Sequence, residues 1–172
     1  MPPGRIIAVG FFSAILLGTL LLLPVSQSGT VCVSFLDALF TAASATCVSG
    51  LVVLDTGTAW SPFGQTVILL LFQMGGLGAA GIGIAATMLL RNGMNLKYRQ
   101  LIRANWNLPC TVRSSRLLFR ILLITFCFEL GGALLSFPIF RQDHSAGRAI
   151  FLSIFHAVSA FTNAGFDLKH MV

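Results

Sequence analysis

Three apolar runs that are long enough to cross a bilayer constrain the fold of this chain more than any other feature. Ile6–Leu23 and Pro62–Leu90 contain no charged residue, and Leu117–Phe137 contains two, Arg120 and Glu129. About 20 apolar residues in a helix cross the roughly 30 Å hydrocarbon core of a membrane. Charged residues make up only 9% of the chain, whereas a soluble domain has about 25%. The sequence therefore predicts an all-α membrane protein.

The basic residues are concentrated between the second and third apolar runs. Residues 91–116 contain six basic side chains and no acidic one: Arg91, Lys97, Arg99, Arg103, Arg113 and Arg116. Because Lys and Arg near membrane helices favour the cytoplasmic side, we expect this loop and the N-terminus to be cytoplasmic. The chain is then a multi-pass protein of the plasma (inner) membrane. Topology and contact with anionic membrane lipid explain the basic loop better than nucleic-acid binding does.

Two shorter apolar stretches, Ser34–Ala45 and Ala149–Ala160, are 12 residues long, which suits helices that dip into the membrane and return. They align without gaps at a shift of 115 residues, which also places Ile6–Leu23 on Ile121–Pro138. The identical pairs include Phe40/Phe155, Ala42/Ala157, Ser44/Ser159, Ala45/Ala160 and Gly50/Gly165. This self-similarity indicates an internal repeat.

The repeat divides the chain into three parts. Residues 1–90 form a first unit of span, dip and span, residues 91–116 form the cytoplasmic basic loop, and residues 117–172 form an incomplete second unit. The predicted fold is an all-α membrane protein of repeated span–pore helix–span units, one complete and one incomplete, in which the dips are the pore helices.

Each dip is followed by a short segment that ends in glycine, Thr46–Gly50 in the first unit and Phe161–Gly165 in the second. Non-helical backbone at membrane depth occurs where it is buried in protein or lines a water-filled path. Glycine can adopt positive φ, and the C-terminal end of a helix carries partial negative charge. Rings of backbone carbonyls can replace the hydration shell of K⁺. We therefore predict a selectivity filter made of Thr46, Cys47, Val48, Ser49, Gly50, Phe161, Thr162, Asn163, Ala164 and Gly165; two ordinary glycine-ended helix caps are the structural alternative.

Two acidic residues are predicted to support the pore helices. Ser34 and Asp37 have the spacing of a helix capping box, which is a more ordinary role for Asp37 than attraction of cations at the outer mouth. Glu129 lies 12 residues into its span, about 18 Å along the axis, and must face protein or water. Bracing a pore helix is favoured for Glu129 over contact with the ion.

Other chemistry is not indicated. The four cysteines, Cys32, Cys47, Cys110 and Cys127, form no C-x-x-C pair, and the histidines lack the spacing of a transition-metal site. For His156, a buried hydrogen bond is expected in preference to metal binding. No nucleophile–base or carboxylate pair is present, so we expect neither an enzyme nor a bound cofactor. The small residues Gly75, Ala79 and Gly83 share one helix face, which is expected to pack on a pore helix.

Three ordered motifs resemble the Trk/Ktr/HKT superfamily of potassium transporters. The first is DALFT at Asp37–Thr41 leading to CVSGL at Cys47–Leu51, the second is QMGGLG at Gln73–Gly78, and the third is FHAVSAFTNAGF at Phe155–Phe166. The resemblance covers nearly the whole chain. It implies a span–pore helix–span unit used four times around one pore, with one filter glycine per unit. It also implies K⁺ as the transported ion, a homodimer when full length, and regulation by a cytoplasmic nucleotide-binding ring, for which the basic loop is a candidate contact.

The resemblance covers only one and a half of the four expected units. After Val172 the second unit has no closing span, so the chain is interpreted as the N-terminal portion of a translocating subunit. One and a half units cannot surround an ion, and the 172 residues alone are expected to conduct nothing. The alternatives are a short self-assembling cation channel, in which other copies of the chain replace the remaining repeats, and a non-conducting truncated membrane protein.

Overall fold

Helices make up most of this protein, as expected from its apolar runs. The computed structural model describes the backbone of residues 3–23, 33–89 and 114–168. Side chains are described at position 5 and in residues 8–23, 33–78 and 120–168. The helices are α1 (Pro3–Leu22), α2 (Phe35–Cys47), α3 (Thr56–Ala59), α4 (Pro62–Leu89), α5 (Ser114–Asp143) and α6 (Ala146–Thr162). The prediction of an all-α protein is confirmed. The basic loop falls mostly outside the described residues.

The third apolar helix extends beyond Phe137, where the apolar run in the sequence ends. Helix α5 continues through Pro138 to Asp143. Proline removes one backbone donor, but membrane helices tolerate this loss when neighbouring groups compensate. The last turn also has a stabilising contact, because the Arg141 guanidinium donates to the His144 carbonyl oxygen over 3.2 Å and its positive charge favours a helix C-terminus.

The second apolar run is not one straight helix. Gly78 lies within α4 with φ 73° and ψ 148°, so two helical segments meet there. Glycine accepts this positive φ because it has no Cβ. Of the described helices, Arg120–Asp143 is long and apolar enough by itself to cross a bilayer, while Ala8–Leu22 and Pro62–Gly78 are shorter apolar helices. The predicted span Pro62–Leu90 is therefore corrected to a helix interrupted at Gly78.

The packing brings the two units together around α4. Helix α2 contacts α1 and α4, while α6 packs on α5 and also contacts α4. The Phe72 ring of α4 lies 5.3 Å from the Phe155 ring of α6, edge to face. The Phe72 ring also stacks on that of Phe166 at 6.0 Å. These three side chains are buried, and they belong to one apolar core that also contains Ala42 and Ala45 of α2, so this core joins α2 and α6 to α4.

Candidate functional site

Helices α2 and α6, the two predicted pore helices, end in the same uncommon backbone conformation. Val48 follows α2 with φ 55° and ψ 38°, and Asn163 follows α6 with φ 57° and ψ 35°. Asparagine tolerates this left-handed region, but a β-branched residue such as valine rarely adopts it. Backbone strain of this kind costs about 1–3 kcal/mol and is concentrated at functional sites.

The backbone hydrogen bonds of these two caps correspond one to one. Val48 N–H donates to the Ala45 carbonyl oxygen over 3.2 Å, and Ser49 N–H donates to the Ser44 carbonyl oxygen over 3.0 Å. The corresponding bonds of the second cap run from Asn163 to Ala160 over 3.2 Å and from Ala164 to Ser159 over 2.8 Å. Each donor and acceptor is displaced by the 115 residues that align the two sequence halves.

A buried serine in each pore helix ties the following loop back to that helix. Ser44 Oγ donates to the Leu51 carbonyl oxygen over 2.7 Å. Ser159 Oγ donates to the Phe166 carbonyl oxygen over 2.8 Å. Both serines are about 5% exposed or less. Because each bond fixes the residue after the glycine, it also fixes the direction of the loop between helix and glycine.

The two loops meet at their glycines. Gly50 has φ 71° and Gly165 has φ 72°. A Cβ on Gly50 would lie only 2.6 Å from the Ala164 carbonyl oxygen, and one on Gly165 would lie 3.4 Å from the Gly50 Cα. Both the backbone conformation and the close approach therefore require glycine at position 50. The structure brings together the two segments that the sequence predicted as a filter.

Helix α4 touches both loops through consecutive glycines. A Cβ on Gly75 would overlap the Thr46 carbonyl oxygen, and one on Gly76 would lie 2.6 Å from Thr162 Cγ2. The predicted packing of a small-residue face against a pore helix therefore holds at Gly75, which reaches the end of α2. The side chains at positions 79–83 of that face lie outside the described residues.

The second loop also borders a cavity of about 370 Å³. Its lining comes from α4, α5 and the end of α6: Gly76, Leu77, Ile121, Thr125, Phe161 and Thr162. Phe161 is half exposed and its ring stacks on Phe128 of α5 at 6.2 Å. Space therefore exists beside the start of the second loop, with Thr125 and Thr162 among the residues that line it.

Glu129 forms its hydrogen bond with α4. It is 6% exposed, and Gln73 Nε2 donates to its Oε1 over 2.8 Å. Gln73 lies two residues before Gly75, which touches the first loop, so the support that this hydrogen bond can give to the first loop passes through α4. The Gln73 Oε1 atom is buried without a hydrogen-bond partner among the described residues.

Asp37 lies at the N-terminus of α2 and closes a capping box. Asp37 N–H donates to Ser34 Oγ over 3.2 Å, and Ser34 N–H donates to Asp37 Oδ2 over 3.0 Å. The Ser34 hydroxyl also donates to the same carboxylate oxygen over 2.8 Å. Donation from the Ser34 backbone and hydroxyl lowers the pKa of Asp37 below its ordinary value. The geometry is the one that the spacing of Ser34 and Asp37 indicates.

Two polar contacts near the second pore helix were not predicted as pairs from the sequence. Arg148 Nη1 donates to Gln65 Oε1 over 3.0 Å, which links the start of α6 to α4. His156 Nε2 lies 2.6 Å from Asp167 Oδ1. The sequence indicated a hydrogen bond for His156, but it gave no partner, because the partner lies beyond the loop and not on the same helix.

The described residues contain no group of three or more His, Cys, Asp or Glu side chains that could hold a metal ion. Cys47 and Cys127 are exposed free thiols there, and Cys32 and Cys110 lie outside the described residues. The oxygen atoms at the two loops come from hydroxyls, backbone carbonyls and the Asn163 side-chain amide. Such oxygen atoms suit a hard or weakly bound cation better than a transition metal.

Comparison with known proteins places these features in one family. The profile of the TrkH family, described as a cation transport protein, matches residues 6–170. The chain is 42% identical over 167 residues to the Ktr system potassium uptake protein B of Bacillus subtilis, covering 96% of the chain and 37% of that protein. It is 37% identical over 169 residues to the potassium/sodium uptake protein NtpJ of Enterococcus hirae, covering 98% of the chain and 38% of that protein. The chain thus spans somewhat more than a third of the length of these relatives.

Proposed function

Because the chain belongs to the TrkH family of cation transport proteins, we propose that it forms part of the pore of a potassium uptake transporter. In this proposal Thr46–Gly50 and Phe161–Gly165 are two segments of the selectivity filter. The observation that carries the proposal is the shared geometry of the two loops. Each has a left-handed cap, a serine tie and a positive-φ glycine, and the two loops meet at those glycines.

Selectivity would come from dehydration of the ion against backbone carbonyls. Each loop follows the C-terminal end of a pore helix, where the helix dipole adds partial negative charge. Carbonyls held in a fixed geometry can replace the water around K⁺, and their number and field strength decide how well Na⁺ competes. The left-handed Val48 and Asn163 redirect the chain out of the helix, so that the residues from each cap to its glycine run alongside the ion path.

Two loops bound an ion on two sides, and the remaining sides require further filter loops. These would be supplied by remaining repeats of the transporter or by other copies of the chain. The proposal includes the membrane orientation predicted from charge, with a cytoplasmic N-terminus in the plasma membrane. A homodimer, and a nucleotide-binding ring docked on the cytoplasmic basic loop, remain proposals that follow from the family resemblance.

Uptake of Rb⁺ as a K⁺ tracer tests the function. The natural gene product that carries these residues would be produced in a bacterial strain that lacks its own potassium uptake systems. We expect saturable Rb⁺ uptake that K⁺ inhibits at lower concentration than Na⁺. Absence of uptake by a protein shown to reach the membrane would contradict the proposal.

Two alternatives, a self-assembling channel and a non-conducting membrane protein, are tested by the number of copies in the detergent-solubilised protein together with uptake. Residues 1–172 expressed alone are expected to give no saturable uptake, because two loops cannot enclose the ion. A self-assembling channel predicts a stable ring of several copies in detergent together with uptake. A non-conducting membrane protein predicts neither uptake by the natural gene product nor a defined ring. Stoichiometry in detergent, measured beside the uptake assay, separates the three.

A further inference from the structure

The chain after Gly165 turns back along α6 and meets this helix at two side chains. The first contact is the bond from Ser159 Oγ to the Phe166 carbonyl oxygen. The second lies one residue further, where Asp167 Oδ1 is 2.6 Å from His156 Nε2. Phe166 and Leu168, on either side of Asp167, are buried. The second loop is therefore attached to its pore helix both at the residue after the glycine and at the next one.

The first loop has no counterpart to the second contact. The residues that align with His156 and Asp167 are Thr41 and Val52. Thr41 Oγ1 donates to the Asp37 carbonyl oxygen of its own helix over 2.8 Å, and Val52 is exposed. Valine has no polar side-chain atom that could accept a hydrogen bond from the helix. The two loops share the serine tie and differ in this additional anchor.

The position of the His156 ring is fixed on several sides. Its Nδ1 lies 2.8 Å from the Leu152 carbonyl oxygen, and its ring centroid lies 4.9 Å from that of Phe140 in α5. The His156 side chain is 22% exposed and that of Asp167 is 51% exposed. A ring held by its own helix and by α5 can thus present Nε2 at a defined point to a loop residue that is more exposed to solvent.

We propose that His156 is a positioning residue that anchors the second filter loop through Asp167, and that this anchor helps the Gly165 segment discriminate K⁺ from Na⁺. The inference rests on the proposed function. Only Phe166 separates Asp167 from Gly165. A displacement of Asp167 therefore reaches Gly165 through the two peptide bonds that flank Phe166. A filter whose carbonyls can move inward accommodates the smaller Na⁺ more readily.

The test compares uptake by variants that copy the first loop. His156→Thr introduces the residue at position 41, which can still bond to its own helix, and Asp167→Val introduces the residue at position 52. Each is expected to lower the Na⁺ concentration that halves Rb⁺ uptake by roughly three- to tenfold, the effect of losing one charge-assisted hydrogen bond that is partly exposed. The double variant should be no worse than the more affected single variant, because both substitutions remove the same contact.

Two further variants separate anchoring from charge and from general damage. His156→Gln can place an amide N–H near the position of Nε2 and should stay within about twofold of the natural protein. Asp143→Asn removes the same charge from an exposed residue at the end of α5, and it should leave Na⁺ inhibition unchanged. Protein amount and melting temperature in detergent are measured for every variant, so that the uptake ratio is compared only between folded proteins.

The outcomes distinguish this inference from the proposed function. If the natural protein shows no Rb⁺ uptake, the proposed function fails. If it takes up Rb⁺ and His156→Thr and Asp167→Val both keep the natural response to Na⁺, the function stands and the anchor is refuted. The anchor would also be refuted if Asp143→Asn lost as much discrimination against Na⁺ as these variants, or if the losses of the two single variants added in the double variant.

Discussion

Replacing Gly50 with alanine tests whether the contact between the two loops is required for transport. Alanine at φ 71° costs about 1–2 kcal/mol in the left-handed region. Alanine also lowers the entropy of the unfolded chain, which offsets about 0.4–1 kcal/mol of this cost. The net cost of the backbone conformation alone is therefore small. The new Cβ, however, would lie 2.6 Å from the Ala164 carbonyl oxygen. Because that oxygen belongs to the backbone of the second loop, relief requires one of the two loops to move.

The magnitudes therefore predict a modest loss of stability and a large loss of function. We expect Gly50→Ala to lower the free energy of unfolding by about 1–5 kcal/mol, with the clash as the larger part. Rb⁺ uptake should fall much more steeply, because a shift of a few tenths of an ångström changes the coordination of the ion. The assays are thermal unfolding in detergent and initial uptake rates normalised to the protein in the membrane.

Gly131→Ala is the matched control for this substitution. Gly131 lies within α5, and a Cβ there meets no atom within 4 Å. Alanine in a helix interior is favoured over glycine by roughly 0.5–1 kcal/mol, so this variant should be at least as stable as the natural protein and transport normally. A Gly50→Ala variant with natural uptake and natural Na⁺ inhibition would refute the reasoning about the loop contact.

Substitutions at Glu129, Ser159 and Asp37 test three more contacts. Glu129→Leu leaves the Gln73 amide without its partner and should lower the free energy of unfolding by about 1–3 kcal/mol, measured by thermal unfolding. Glu129→Gln keeps an acceptor for this amide and should lower it less. Equal losses of stability in the two variants would argue against the hydrogen bond. Ser159→Ala should weaken discrimination against Na⁺ in the uptake assay, while Ser153→Ala, whose hydroxyl donates to the Ala149 carbonyl oxygen within α6 over 2.7 Å, should not. The pKa of Asp37 in the folded protein is lowered from its ordinary value of 3.8, so the stability that the carboxylate contributes is fully present above pH 3.8 and is lost as the pH falls through the folded pKa. The difference in stability between the natural protein and Asp37→Ala should therefore shrink as the pH falls through that range. A difference that does not change with pH would show that the Asp37 carboxylate does not stabilise the cap.

Local patterns in the sequence were enough to predict local structure. The capping box at Ser34 and Asp37 involves residues three apart, and its geometry follows once a helix begins there. The bounds of α2 and α6 lie close to the two short apolar stretches, because helix length and hydrophobicity are properties of consecutive residues. The left-handed conformation of Val48 is different, since valine disfavours it and only the surrounding packing imposes it.

Contacts between distant segments could not be predicted in the same way. The Gln73–Glu129 bond joins residues 56 positions apart, and nothing in either helix alone identifies the partner. The interruption at Gly78 was hidden among several nearby glycines, any of which could have adopted positive φ. Proline is a local signal for a helix end, yet α5 continues past Pro138. The partner of Glu129 depends on packing between segments, which the one-dimensional pattern does not contain.

Localising Rb⁺ in the natural gene product tests the central claim most directly. Anomalous diffraction from crystals grown in RbCl identifies the positions of the ion independently of transport. The account predicts Rb⁺ beside the Gly50 and Gly165 loops, in contact with backbone carbonyl oxygens from both Thr46–Gly50 and Phe161–Gly165, and its replacement when the crystals are soaked in KCl. Rb⁺ bound elsewhere along the ion path, with no ion in contact with either loop, would contradict it.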